Sequence, residues 1–80
     1  MNFHPPVKVY FGRAGQIQVV TSARKAGELL THDRWPLQGT RRQKAAQRAV
    51  LDALEGKGEP ERLRKAFHAA VAEAGLLIED

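Results

Sequence analysis

The chain has no cysteine. Disulfide frameworks, cysteine-based zinc sites, thiol nucleophiles and iron–sulfur clusters are therefore excluded together. Its one serine, Ser22, lies outside any G-x-S-x-G nucleophile elbow. Three histidines, His4, His32 and His68, are scattered without an H-x-x-x-H pair, so neither spacing nor ligand number points to a metal site. The longest apolar runs, such as Leu76-Leu77-Ile78, fall far short of the roughly 20 residues that cross a bilayer. Met1-Asn2-Phe3-His4-Pro5-Pro6 lacks the charged start and apolar core of a secretory signal. The expectation is a soluble cytoplasmic protein with no cofactor, no metal and no membrane partner. With five aromatic residues among 80, a deep substrate pocket is hard to build in a single copy, and the chain reads as a non-enzyme.

What is present has ordinary globular composition, 42% hydrophobic and 28% charged, and its length suits one small domain over residues 1–80. After an extended lead-in over 1–6, Val7-Lys8-Val9-Tyr10-Phe11 and Ile17-Gln18-Val19-Val20-Thr21 both alternate apolar and polar. That period of two, with Gly12-Arg13-Ala14-Gly15 between the runs, predicts an antiparallel hairpin over 7–21. Sharing one apolar face predicts Phe11 opposite Ile17 and Val9 opposite Val19, leaving Lys8, Tyr10 and Val20 outward.

Ser22 is a natural N-cap for a helix over 22–34, with Ala23, Ala26, Leu29 and Leu30 at helical spacing and Trp35-Pro36 ending it. Gly27 inside it costs roughly 1 kcal/mol against alanine, which points to a close-packed strand or a weak helix. Thr40-Arg41-Arg42-Gln43 has the form of a capping box for a helix over 41–55. Its apolar stripe comprises Ala46, Ala49, Val50, Ala53 and Leu54, while Leu51 leaves the stripe. Pro60 opens a helix over 60–74, whose Leu63, Ala66, Phe67, Ala70, Val71 and Ala74 follow the helical period before Gly75. Leu76-Leu77-Ile78 is too apolar for a loose tail, and a short third strand beside the hairpin stays open. The fold class is α+β: a two-stranded antiparallel hairpin, or three strands, packed on three α-helices in the order β-β-α-α-α(-β).

Several short motifs, in this order and spacing, resemble a known family. They are Trp35-Pro36, then Ala49-Val50-Leu51-Asp52-Ala53-Leu54-Glu55-Gly56, then Ala66-Phe67-His68-Ala69-Ala70, then Glu73-Ala74-Gly75. Together they resemble the small bacterial proteins grouped as domain of unknown function 982, over nearly the whole chain. The resemblance implies a short stand-alone protein with no assigned activity. The shared residues look like packing and capping positions, so no catalytic residue is carried over.

Charge is distributed unevenly. Residues 1–48 carry +7 and residues 49–80 carry −3 within a net +4. Arg41, Arg42 and Lys44 occupy the first turn of the second helix, where the helix dipole disfavours cations, with Arg48 one turn on. A phosphate or carboxylate there would relieve the repulsion, so these four residues are the candidate anion or nucleic-acid contacts. Arg48 also stands one turn before Asp52, as in an ordinary surface ion pair. The second candidate is a protein-interaction face of Lys8, Tyr10 and Val20 on the hairpin's outer side, together with Leu51. An uncovered sheet face and free edges are where another chain can add. The expected function is a protein-interaction or regulatory module, binding another protein or itself, with nucleic-acid binding through the basic second helix as the alternative.

Overall fold

A computed structural model describes residues 2–12 and 15–79. The elements are β1 (Asn2–Phe11), β2 (Gln16–Ser22), α1 (Ala23–Leu30), α2 (Arg41–Leu54), α3 (Pro60–Glu73) and β3 (Leu77–Ile78). The architecture is α+β, an antiparallel sheet of order β2-β1-β3 covered by the helices on one face. The closing apolar residues do form a third strand, which pairs with β1, Lys8 opposite Ile78 and Val9 opposite Leu77. α1 packs on β2, α3 packs on β1, and α2 packs on both helices.

The hairpin register differs from expectation by one residue. Phe11 faces Gln16, Tyr10 faces Ile17, Val9 faces Gln18, Lys8 faces Val19 and Val7 faces Val20. Only Gly12 to Gly15 connect the strands, closed by the Gly15 N–H on the Gly12 carbonyl at 3.1 Å. Arg13 and Ala14 of that turn lie outside the described residues. Gly15 has φ +66°, and the Tyr10 hydroxyl occupies the place a Cβ would take. The one-residue shift exchanges faces: Val20 is fully buried, whereas Ile17 and Val19 are 60% and 57% exposed. Val20 therefore belongs to the core and not to an outward interaction face. The cause is the junction with α1. No linker separates β2 from α1, and Ser22 Oγ accepts the Lys25 N–H to cap the helix. The helix side of the strand is thus the side of Ser22 and of every second residue before it, Val20 and Gln18.

Residues 2–6, expected as a lead-in, are strand with an irregularity in pairing between Asn2 and Val7. Phe3 at its start is buried against the Phe67 ring, centroids 6.5 Å apart. Around this pair the core gathers Val7, Val9, Val20, Leu30, Leu63 and Val71.

α1 ends at Leu30, four residues before the expected stop. Thr31 closes it, its N–H and Oγ1 both donating to the Gly27 carbonyl. His32, Asp33 and Arg34 form turns, and Trp35 is buried beside the Phe11 ring at 6.3 Å between centroids. Gly27 is explained by a neighbouring helix and not by a strand, because a Cβ there would lie 3.1 Å from Val50 Cγ1 of α2. Leu54, expected on the buried stripe, is 58% exposed in the last turn of α2.

The N-terminus of α2 carries the one buried polar side chain among the described residues, Gln43. Thr40 Oγ1 accepts the Gln43 N–H at 3.1 Å, as a capping box requires. The glutamine side chain turns elsewhere. Its Oε1 accepts from the Gly39 N–H, and its Nε2 donates to the Leu30 carbonyl at 2.9 Å and to Gln38 Oε1 at 3.1 Å. Gln38 Nε2 in turn donates to the carbonyls of His32 and Trp35. Replacing Gln43 by leucine would leave the Leu30 carbonyl and the Gly39 N–H without these partners. Gln43→Leu is expected to cost about 2 kcal/mol or more, on the order of 10 °C in Tm for a domain of this size. Thermal and urea denaturation followed by circular dichroism checks it, and a loss below about 0.5 kcal/mol, the range of ordinary surface substitutions, would contradict it.

Candidate functional site

Arg41, Lys44 and Arg48 stand exposed on the side of α2 away from its buried stripe, and Arg42 is exposed at the first turn. The structure brings them together on one element. Their charge is partly answered from within the chain. Arg48 Nε lies 3.4 Å from Asp52 Oδ1, and Arg62 Nη1 of α3 donates to Asp52 Oδ2 at 2.9 Å. The helix start has its own carboxylate: Thr40 Oγ1 donates to Glu73 Oε1 at 2.6 Å. Glu73, from the end of α3, thus supplies the anion that the dipole and the flanking arginines favour there. Among the described residues, Arg41, Arg42 and Lys44 make no ion pair.

The residues expected to form one protein-interaction face fall in three places. Lys8 and Tyr10 are on the outer sheet face, Val20 is in the core, and Leu51 is 55% exposed on α2, which packs on the helices α1 and α3. The exposed apolar residues beside Tyr10 are instead Ile17 and Val19. Next to Leu51 on α2 is Leu54. Strand alternation carries the signal for Ile17 and Val19, but only once the register is known.

The edges of the sheet are unlike one another. The Tyr10 N–H donates to the Leu76 carbonyl at 2.8 Å, so the even-numbered residues of this part of β1 address β3 and the odd-numbered ones address β2. On β2 the backbone groups of Gln16, Gln18 and Val20 accordingly face β1, while those of Ile17, Val19 and Thr21 point away from it. Among the described residues β2 has no neighbour on that side. On the other side of the sheet, β1 carries Pro5 and Pro6, which have no N–H to offer an added strand.

That second side holds a groove of about 380 Å³ between β1, β3 and α3. Its apolar walls are Pro5, Pro6 and Val7 against Leu77 and Ile78, and its ionisable groups come from Lys8, Arg64, His68 and Glu79. Arg64 and His68 are one turn apart on α3. Glu61 holds Arg64 through Nε at 3.2 Å and Nη2 at 2.7 Å. This hydrogen-bonded pairing lowers the Glu61 carboxyl below, and raises the Arg64 guanidinium above, their ordinary ranges. Nothing in the sequence pattern marks the groove, because its walls come from residues more than 50 positions apart. No group of three or more metal-ligating side chains occurs among the described residues, and none of the described helices is long and apolar enough to cross a membrane.

Asp52 gives a pH test of the α2–α3 contact. Its hydrogen bond from Arg62 holds the carboxyl below the ordinary 3.8, against the opposing effect of desolvation and with help from Arg48. A depressed carboxyl stabilises the fold above its unfolded pKa and loses that contribution as pH falls through its folded pKa. Asp52→Asn is therefore expected to melt below the parent at neutral pH, with the difference closing only at pH below 3.8. Melting curves of both chains across pH check this, and a gap independent of pH would refute it.

No curated protein and no solved structure gives a significant match to this chain. One family model does. The family described as protein of unknown function (DUF982) matches residues 5–78, from the first proline of β1 to the last residue of β3, and the chain belongs to that family.

Proposed function

We propose that this protein acts by binding, as a non-enzymatic interaction module whose docking element is the free edge of β2 and whose partner is a second copy of the chain. One observation carries the reading: among the described residues, β2 is an edge without protection. Its seven residues include no proline and no charged side chain, and Ile17, Val19, Val20 and Thr21 are β-branched. Natural sheets usually blunt such an edge with charge, proline, a bulge or a covering segment. Two of these residues, Ile17 and Val19, also expose apolar surface on the uncovered face next to Tyr10.

Antiparallel pairing across a two-fold axis satisfies both features. It sets Val19 opposite its counterpart and Ile17 of each copy opposite Thr21 of the other, joining two three-stranded sheets into one of six. The outward backbone groups of Ile17, Val19 and Thr21 gain partners, and the apolar side chains form cross-strand pairs worth about 0.2–1 kcal/mol each.

Sedimentation across a concentration series tests it. The parent chain is expected to dimerise as concentration rises. Val19→Lys, at an exposed position, is expected to stay monomeric with an unchanged melting temperature. A parent chain still monomeric at about 1 mM, where even a weak dimer is populated, overturns the proposal.

Nucleic-acid binding is the second reading, supported by Arg41, Arg42 and Lys44, which are exposed and make no ion pair among the described residues. Against it, the Glu73 carboxylate already sits at the start of α2. This reading predicts binding to mixed DNA or RNA that falls steeply with salt and is lost when the three cations become alanine. Undetectable binding at low salt ends it.

A further inference from the structure

One side of α2 is buried in the core, through Ala46, Ala49, Val50 and Ala53, where the helix packs on α1 and α3. On its outer side Lys44, Gln47, Leu51 and Leu54 recur at spacings of three, four and three. At 100° per residue these four make a continuous seam along about 15 Å of helix. It is the spacing at which one helix receives the side chains of another. Leu51 and Leu54 are more than half exposed and Lys44 is exposed, while Gln47 between them is half-buried.

Charge gives the seam a direction. At its start Arg41, Arg42 and Lys44 make no ion pair among the described residues, and Glu73, held by the Thr40 hydroxyl, is one carboxylate against three cations. One turn on, Arg48 shares Asp52 with Arg62. Beyond the leucines stands Glu55, exposed at the C-cap. The outer side is therefore basic over its first half and apolar over its second, with negative charge only at the far end. A phosphate backbone would engage the cations and leave the leucines in water. A membrane surface takes a broad apolar helix face, and the broad apolar face of α2 is already in the core. A second helix with carboxylates at one end and apolar residues at the other matches both halves.

We infer that the outer side of α2 docks an acidic amphipathic helix of another protein. Its apolar side chains pack on Leu51 and Leu54, and its aspartates or glutamates, about two turns further along, reach Lys44 and Arg41. The seam belongs to the helix layer and the β2 edge to the sheet, so either association can fail without the other.

The test is a titration of the full chain, read by fluorescence anisotropy, against a labelled helical peptide of about 20 residues with leucines along one face and glutamates beside them. Saturable binding is expected. Peptides with the leucines changed to serine, or the glutamates to lysine, are expected to bind at least about tenfold more weakly. Leu51→Ser, at an exposed position and with an unchanged melting temperature, is expected to weaken binding about tenfold, the loss of a half-buried leucine's worth of apolar contact. Lys44→Glu is expected to weaken the glutamate peptide and to strengthen the lysine peptide. Val19→Lys is expected to bind as the parent does; a loss there would assign the peptide to the β2 edge and overturn the inference. Equal binding of either control peptide, indifference to Leu51→Ser, or an absence of saturable binding also overturns it. So does tighter binding to duplex DNA or to phosphatidylglycerol vesicles that Leu51→Ser likewise weakens, since the seam would then belong to that partner.

Discussion

The side-chain amide of Gln43 is shut away from water between the end of α1, the loop after it and the start of α2, with both its N–H donors and its oxygen engaged. Each of those bonds joins a different piece of backbone or side chain. The Leu30 carbonyl is one of the orphan acceptors at a helix end, and Gly39 immediately precedes the N-cap of the next helix. A buried polar group is costly unless all its hydrogen bonds are made, so the loop has few alternative conformations consistent with a folded core. Through Gln38 the same network reaches the carbonyls of His32 and Trp35, which places Trp35 beside Phe11 of the sheet. The relative position of α1 and α2, the close approach at Gly27 and Val50, and the closure of the core over Phe11 all follow from that arrangement.

The same economy governs charge. A helix beginning Thr-Arg-Arg-Gln carries cations where its dipole disfavours them, and a search along the sequence for relief points outward to a ligand. The fold answers from inside: α3 runs back alongside α2 and delivers Glu73 to Thr40. Asp52 is shared between Arg48 of its own helix and Arg62 of α3. Among the described cations of α2, Arg41, Arg42 and Lys44 are the ones left without an ion pair. The surface features left without an internal account are the β2 edge with its exposed Ile17 and Val19, and the groove at the opposite side of the sheet. Both are left uncovered by contacts among the described residues.

Much of the fold was legible in the residues. The alternation of Val7 to Phe11, the caps at Ser22 and Thr40, Pro60 at the start of α3 and the unbroken stripe from Leu63 to Val71 each follow from local stereochemistry. The candidate sites were less legible. Hydrophobicity alone does not place Val20, because an alternating strand with Val19 and Val20 adjacent fits either register, and the direct junction with α1 decides between them. Leu54 sits at the spacing of the buried stripe, yet its turn of α2 has no neighbour to cover it. Phe3, two residues before a Pro-Pro pair, has no periodic signal and is buried only because Phe67 of α3 lies opposite.

The sequence by itself determined what is local or compositional: the absence of thiol chemistry, three helices, two of them with side-chain N-caps, two alternating strands and the α+β class, because propensity, capping and periodicity act over a few residues at a time. Tertiary structure alone decided what depends on residues distant in the chain. It chose the hairpin register through the helix that follows, turned a capping glutamine into the buried link between two helices, and supplied an internal carboxylate to a basic helix end. It also brought residues 5–8 together with 64, 68 and 77–79 to form a groove. The physical reason is the same in each case. A strand face, a helix terminus or a cavity wall is completed by whichever group packs against it, and that group is specified by the fold of the whole chain.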